Sequence, residues 1–418
     1  MTEPLKPPPK KNPQRRTRAP TRPSHFRSRA ALGLAAAAGE GRFMLQVCDR
    51  CTAIQYPPRD ACSACLSIDL SWKDAKPTGT LIAETTVQTS TNTYFRERSP
   101  WRVGTVVMDI GPSVIAHIHG DITVGEHVRL VNRLDRSGQA VFFAMPVHGT
   151  DNPEDDLQMR EMTCDPKFRR VLITDGRNPN SVAIAEAFVK AGASIIFVGE
   201  SEAWRPYPNQ SALRGVDNVE ILPLDVTDTN SVQVLSGEIS GKTDILVNNA
   251  RFIRPGGLFD RRDVVFAQQE IEVNYLGLMR LAQSFGPVMR ERAADGTNSA
   301  VSWVNILSAY AWTNEPDFGP FSASNAAALS ISQALRADLA DSGIRVMNVY
   351  VGPTEDEWHQ PLPPPKVTPG SLARAVVTGL RDGLEEQFVG DIAEDLIKRW
   401  RDNPKVLERE MIANRGRA

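Results

Sequence analysis

The stretch CDRC-TAIQYPPRDA-CSAC, residues 48–65, constrains the fold more tightly than any other part of the chain. Cys48, Cys51, Cys62 and Cys65 follow the spacing C-x2-C-x10-C-x2-C. Two residues between cysteines make a tight turn that aims both thiolates at one ion, and two such turns complete a tetrahedron. Four thiolates leave zinc no open position, so the centre is expected to be structural. A reduced cysteine cluster and an iron centre of rubredoxin type are the alternatives. The fifth cysteine, Cys164, stands alone and is expected to be a free thiol. Cysteines gathered in this way, instead of dispersed as a disulfide framework, indicate a reducing, cytoplasmic setting.

The segments on either side of the clip differ in kind. Residues 1–27 are rich in proline and basic side chains with almost nothing apolar to bury, so a disordered, solvated tail is expected. A targeting segment or a basic arm is the other way to use such a composition. RAALGLAAAAGEGRF follows, an alanine-rich helix from about Arg29 to Glu40 with no evident partner inside the chain. Helix and clip together occupy residues 28–75. Beyond them GTLIAETTVQ, WRVGTVVMDIG, SVIAHIHGD, HVRLVNRL and QAVFFAMPV alternate polar and apolar residues between turn signals. Short strands at this spacing predict a small β-barrel of the OB type over residues 76–147. His117 and His119 share a strand face there and are expected to be surface residues.

From the helix to the barrel the chain resembles the rubredoxin-type zinc-ribbon and OB-fold proteins. QVCDRC, QYPPRDACSAC, VGTVVMDIG and GDITVGEHVRLV carry the resemblance over about residues 28–146. It implies a non-catalytic subunit that accompanies a thiolase- or aldolase-like enzyme of acyl-CoA metabolism. Thr52 and Leu66 stand directly after the second and fourth cysteines, and the glycine usual after the fourth is absent. An OB barrel also raises the question of nucleic acid, whose grooves need excess positive charge and aromatic platforms. Here Arg96, Arg98, Arg102, Arg129, Arg133 and Arg136 are largely offset by Glu84, Glu97, Asp109, Asp121, Glu126 and Asp135, and the formal net charge of the chain is −2. No nucleic-acid partner is expected. No apolar run approaches the ~18 residues that a membrane-spanning helix needs.

Residues 148–167 are polar and acidic and are expected to be a linker. From residue 168 to 418, buried-strand patterns (RRVLITDG, SIIFVGE, VEILPLDVT, DILVNNA, VSWVNILSA, RVMNVYV) alternate with helical ones. That alternation predicts an α/β doubly wound Rossmann domain. This half is similar to the short-chain dehydrogenase/reductase superfamily through LDVTD (224–228), NNA (248–250), Asn274 in EVNYLG, Ser308 in VNILSA, and SASNAAAL. The resemblance implies NAD(P) contacts at Thr174, Ser181, Glu200, Asp225 and Asn248. It also implies catalytic roles for Ser308, which orients the substrate carbonyl, and Asn274, which supports a proton-relay water.

Several positions depart from that pattern. The glycine turn TGxxxGxG aligns on TDGRNPNS, residues 174–181, so its glycines become Asp175, Pro179 and Ser181. Glycines in such a turn let the backbone approach a pyrophosphate at the helix N-terminus. Arg251 replaces the glycine after NNA. The tyrosine that protonates the carbonyl and the lysine four residues on become Phe321 and Asn325. General acid catalysis contributes typically ~10²–10⁴-fold, so an accessory subunit with an inactive dehydrogenase-like half is expected, dimerising through that half or docking a partner with the other. The alternative is an active NAD(P)-dependent oxidoreductase acting on a hydroxyacyl- or ketoacyl-CoA, with Tyr310 as substitute acid.

Overall fold

The structure is a computed structural model that describes residues 2–8, 22–24, 29–294 and 299–414. It begins with a three-stranded antiparallel sheet in the order β2-β1-β3, from β1 (Met44–Cys48), β2 (Ile54–Gln55) and β3 (Leu70–Asp74). So small a sheet has little apolar interior, and two buried amides do part of the work. Gln55 Nε2 donates to Gln46 Oε1 at 3.0 Å, Gln46 Oε1 also accepts from Arg59 N, and Gln55 Oε1 accepts from Ser63 N. The loop between the cysteine turns is thereby tied to the strands.

A closed barrel follows, in the order β4-β5-β6-β8-β7. Its strands are β4 (Thr78–Val87), β5 (Trp101–Met108), β6 (Ser113–Ile118), β7 (His127–Leu134) and β8 (Ala140–Pro146). The alternation seen in the sequence puts Leu81, Val106, Ile118, Val128, Leu130 and Phe142 inside. The helix Leu32–Gly39 is not unpartnered as expected. It lies on the barrel, with Leu34 and Ala38 in the barrel core and Leu34 O accepting from Asn132 Nδ2 at 3.0 Å. A small residue also lets the helix close on the ribbon sheet: a Cβ at Gly33 would come within 2.2 Å of Trp72 Nε1 on β3.

The expected linker is also a packed element. Asp155, Asp156, Gln158, Met159, Met162 and Asp165 are buried. The acids that suggest solvation are instead held: Lys167 pairs with Asp155 at 2.7 Å, and Glu161 lies 3.0 Å from Arg98 and 3.2 Å from Arg136. His119 is likewise inside, not on the surface, its Nε2 3.0 Å from Pro153 O. Within the tail, Asn92 Nδ2 bonds Ser24 Oγ at 2.7 Å, Gln139 Nε2 donates to Ser24 O at 3.0 Å, and Thr2 Oγ1 donates to Asp121 Oδ1 at 3.0 Å. Residues 2–8 and 22–24 therefore have specific seats, whereas the rest of the expected tail lies outside the described residues.

The larger half is a seven-stranded parallel sheet in the order β11-β10-β9-β12-β13-β14-β15. The strands are β9 (Arg170–Ile173), β10 (Ile195–Glu200), β11 (Val219–Pro223), β12 (Ile245–Asn248), β13 (Ser302–Ser308), β14 (Arg345–Val351) and β15 (Glu386–Val389). Helices cover both faces, as a doubly wound sheet requires. Reversal of strand order between β9 and β12 opens the crevice in which such folds hold ligands.

The two halves meet across a polar seam. Arg345, at the start of β14, donates to Leu134 O at 2.8 Å, Met162 O at 3.1 Å and Asp135 O at 3.4 Å. Arg133 pairs with Asp382 at 2.6 Å, and Glu385 N donates to Gly39 O at 2.8 Å. Removing a charged donor from buried carbonyls leaves them unsatisfied, at about 1–3 kcal/mol. Arg345→Ala should therefore split thermal unfolding, now expected as one transition, into separate barrel and sheet transitions by calorimetry. A single unshifted transition would show that the seam carries no coupling.

Candidate functional site

The four cysteine sulfurs lie within 4.8 Å of one another, and Cys48–Cys65 and Cys51–Cys62 approach to 3.6 Å. A zinc ion with Zn–S bonds of ~2.3 Å spaces its sulfurs by about 3.8 Å, so the cluster fits that ion. Cys48 and Cys62 are buried and Cys51 and Cys65 exposed. Backbone amides help to make thiolates: those of Cys65 and Ala64 bring the Cys62 thiol down to about 6. Each turn is completed by a residue in the left-handed region, Thr52 at φ 62° and Leu66 at φ 61°. Neither is glycine, so each turn carries about 1 kcal/mol or more of backbone strain.

The crevice of the parallel sheet has an open end and a filled end. The open end is a cavity of about 570 Å³ lined by Thr174, Leu224, Asp225, Val226 and Ala250 on one side and by Arg251, Arg254 and Trp358 on another. At its floor the glycine turn is occupied from within. Asp175 accepts from the amide of Arg177 at 2.9 Å, and the amide of Asn178 points to the same carboxylate. Asn178 then caps the following amides, its Oδ1 accepting from Asn180 N and its carbonyl from Ser181 N, both at 3.0 Å. A carboxylate of the chain thus takes donors that an incoming phosphate needs. Ser181 is fully buried, accepting from Asn249 Nδ2 at 2.8 Å and donating to Asp175 O. Glu200 is also turned to the interior, where it accepts from Gln210 Nε2 at 2.8 Å, and it does not line the cavity. Thr174 Oγ1 donates to Asn248 Oδ1 at 3.0 Å, and Asp225 accepts from Thr227.

At the filled end, Ser308 and Phe321 line a space of only about 20 Å³, room for roughly one water. Asn325 is an internal clamp: Oδ1 accepts from Ser308 N at 2.9 Å and Nδ2 donates to Phe321 O at 3.0 Å. Ser308 Oγ accepts from Tyr310 N. Asn274, in the π-turn Glu272–Gly277, uses its amide on both backbone groups of Phe252 and on Ser324 Oγ, all within 2.9 Å. Phe321 joins Ile253, Tyr310, Phe318, Ala393, Leu396 and Leu407, so the two last helices, Asp391–Asp402 and Pro404–Asn414, cover the place above it. Burial raises the Tyr310 hydroxyl well above its ordinary range, with nearby Glu315 adding to the effect. Such a phenol is a poor acid.

One feature of this end escaped sequence inspection. Arg251 Nη2 pairs with Asp356 at 2.6 Å, and Asp356 also holds His359 Nδ1 at 2.9 Å. Burial works against ionisation of Asp356, but the His359 bond and the Arg251 charge outweigh it and hold the carboxyl below its usual range. The anomalous Arg251 was visible in the sequence. Its partner, on the segment after β14, was not.

Two outcomes follow. Purified protein should carry about one zinc per chain, and Cys62→Ser should abolish it and unfold the ribbon, because metal binding is folding free energy. Retained fold in metal-free protein would disprove a structural ion. Burial also raises Asp175 from 3.8 to about 6 in spite of the Arg177 amide and charge. An acid with a raised folded pKa favours the fold while protonated. This contribution is therefore fully present below about pH 4 and is lost, on the order of 1 kcal/mol, as pH rises through about 6. Asp175→Asn should remove that decline in urea titrations at several pH values.

Residues 35–71 match the family described as ChsH2, rubredoxin-like zinc ribbon domain, and residues 72–133 match ChsH2, C-terminal OB-fold domain. Residues 169–365 match short chain dehydrogenase. An uncharacterized oxidoreductase of Mycobacterium tuberculosis is 30% identical over 204 residues, 47% of this chain and 58% of that protein. The chain therefore spans little more than half the length of that relative. A short-chain dehydrogenase of Penicillium ochrochloron is 33% identical over 192 residues, 44% of this chain and 65% of that one. Among solved structures, a short chain dehydrogenase from Burkholderia cenocepacia J2315 in complex with NADP superimposes with TM-score 0.53 at 25% identity, covering 59% of this chain and 98% of that one. The polypeptide is thus a fusion whose first part matches the zinc-ribbon and OB-fold domains and whose larger second part carries a short chain dehydrogenase domain over residues 169–365.

Proposed function

We propose that this chain is a non-redox accessory subunit of an acyl-CoA-processing complex, docking a thiolase- or aldolase-like enzyme through its metal-ribbon half. The observation that carries the proposal is the filled end of the crevice. With about 20 Å³ beside Ser308, neither a nicotinamide ring nor a substrate carbonyl has a place, and Phe321 and Asn325 offer no proton. The same side chains make a good interior. Residues that would serve turnover instead satisfy one another.

The ribbon, by contrast, presents apolar side chains outward. Leu66 and Ile68, beside the fourth cysteine, are each 79% exposed. A rigid metal turn holding such side chains in solvent suits a docking tip, although a stable interface of ~1,200 Å² or more would extend onto the barrel. In the dehydrogenase-like half, a groove of about 510 Å³ runs between the helices Leu278–Arg292 and Gly319–Ala340, with Arg290 on one wall and Asp338 on the other. A two-fold axis through such a groove would set Arg290 of each copy against Asp338 of the other, and a homodimer through this half is part of the proposal.

Double substitution Leu66→Asp and Ile68→Asp should weaken copurification of the partner at least about tenfold while zinc content stays at one. Undiminished capture would move the interface elsewhere. In parallel, the isolated chain should give no NAD(P)H-dependent turnover of ketoacyl-CoA. Turnover abolished by Ser308→Ala would instead establish the oxidoreductase.

A further inference from the structure

The open end of the crevice remains a built cavity of about 570 Å³, within the range of small-molecule sites. Its floor has lost the usual anion cradle to Asp175. A different cation faces it. Arg254 lies over the ring of Trp358 at 3.9 Å, with Phe252 at 4.7 Å and Phe266 at 5.6 Å from the same guanidinium. Its side chain donates from Nη1 to Ile253 O at 3.0 Å. Among the described residues no carboxylate pairs with it. The other arginines of the cavity are committed, Arg177 to the carbonyls of Ser201, Glu202 and Arg205 and Arg251 to Asp356. Of the acids lining the cavity, Asp175, Asp225 and Asp356 hold internal hydrogen bonds, and Glu357 is exposed to solvent.

We infer that Arg254 is the anchor of an anion site, and that the cavity takes a small planar molecule carrying one phosphate monoester, of mononucleotide size. Three aromatic rings fix the guanidinium plane in advance, which lowers the entropy lost when it grips an anion. Arginine then offers two parallel N–H donors, the geometry that phosphate oxygens accept best. Leu224, Val226 and Ala250 supply an apolar wall for the planar part. Beyond Arg251 and Asp356 the space closes to about 20 Å³, so a second nucleotide joined to the first has nowhere to lie. The inference rests on the filled catalytic end described above, but it concerns binding and not turnover.

Calorimetric titration of the full chain with adenosine monophosphate, adenosine and inorganic phosphate tests it. The monophosphate should bind at least about tenfold more tightly than adenosine or free phosphate. Arg254→Gln should erase the difference from adenosine without changing adenosine binding, and Arg254→Lys should keep part of it. Equal affinity for adenosine and its monophosphate, undetectable monophosphate binding at millimolar concentration, or unchanged binding in Arg254→Gln would each overturn the site. Phosphate binding as tightly as the monophosphate would overturn the planar part. Hydride transfer, read from NADH absorbance, bears only on the non-redox proposal, so the two failures are distinguishable.

Discussion

The arrangement of this molecule turns on a polar seam, and one guanidinium makes three hydrogen bonds across it. Arg345 opens a strand of the parallel sheet, yet its donors go to Leu134, Asp135 and Met162 of the barrel and the segment behind it. A half-buried charge is best tolerated when its hydrogen bonds are met, and here they are met by the other module. The contact of Glu385 N with Gly39 O and the pair of Arg401 with Glu40 extend the seam to the first helix. Fusion in sequence thus becomes a single packed body. The metal turns keep a fixed orientation relative to the crevice.

Within the crevice, the polar side chains at the positions of the short-chain dehydrogenase pattern are bonded to neighbouring protein groups. Ser308, Asn274 and Asn325 each hold side-chain hydrogen bonds to other protein groups. Asn325 bonds the backbone of Ser308 and Phe321; Asn274 bonds Phe252 and Ser324. Buried amides with both ends matched stabilise the fold, whereas a catalytic group needs an unmet valence aimed at substrate. A fold of this kind does not by itself fix a function. The sheet survives intact because its apolar strands do not depend on the site at its edge.

How much of this was legible in the sequence differs from element to element. The cysteine spacing, the barrel strands and six strands of the sheet announced themselves through local pattern, because period and turn chemistry are local properties. Strand β15, EQFV, did not: it is short and begins with an acid that pairs with Arg336 at 2.8 Å. The alanine helix looked unpartnered since its contacts come through backbone closeness and small side chains, which leave no strong stripe. Acids of residues 148–167 looked solvated because their cations, Lys167 and Arg136, are assigned to them only by the fold. Arg251 stood out as a wrong residue at a familiar place, but Asp356, 105 residues on, could be joined to it only by the structure.

The left-handed turn at Leu66 has a consequence for how such a chain can change. Most proteins gain stability readily from substitutions toward the residue a backbone conformation prefers, and glycine is that residue at φ 61°. At this position the improvement is also an erasure, since the side chain that strains the turn is the one that the turn holds out in solvent. A lineage selected only for robustness would drift to glycine and present a blunt metal loop. Leucine at this position therefore sets a ceiling on the ribbon's own stability, and metal binding is what offsets the deficit.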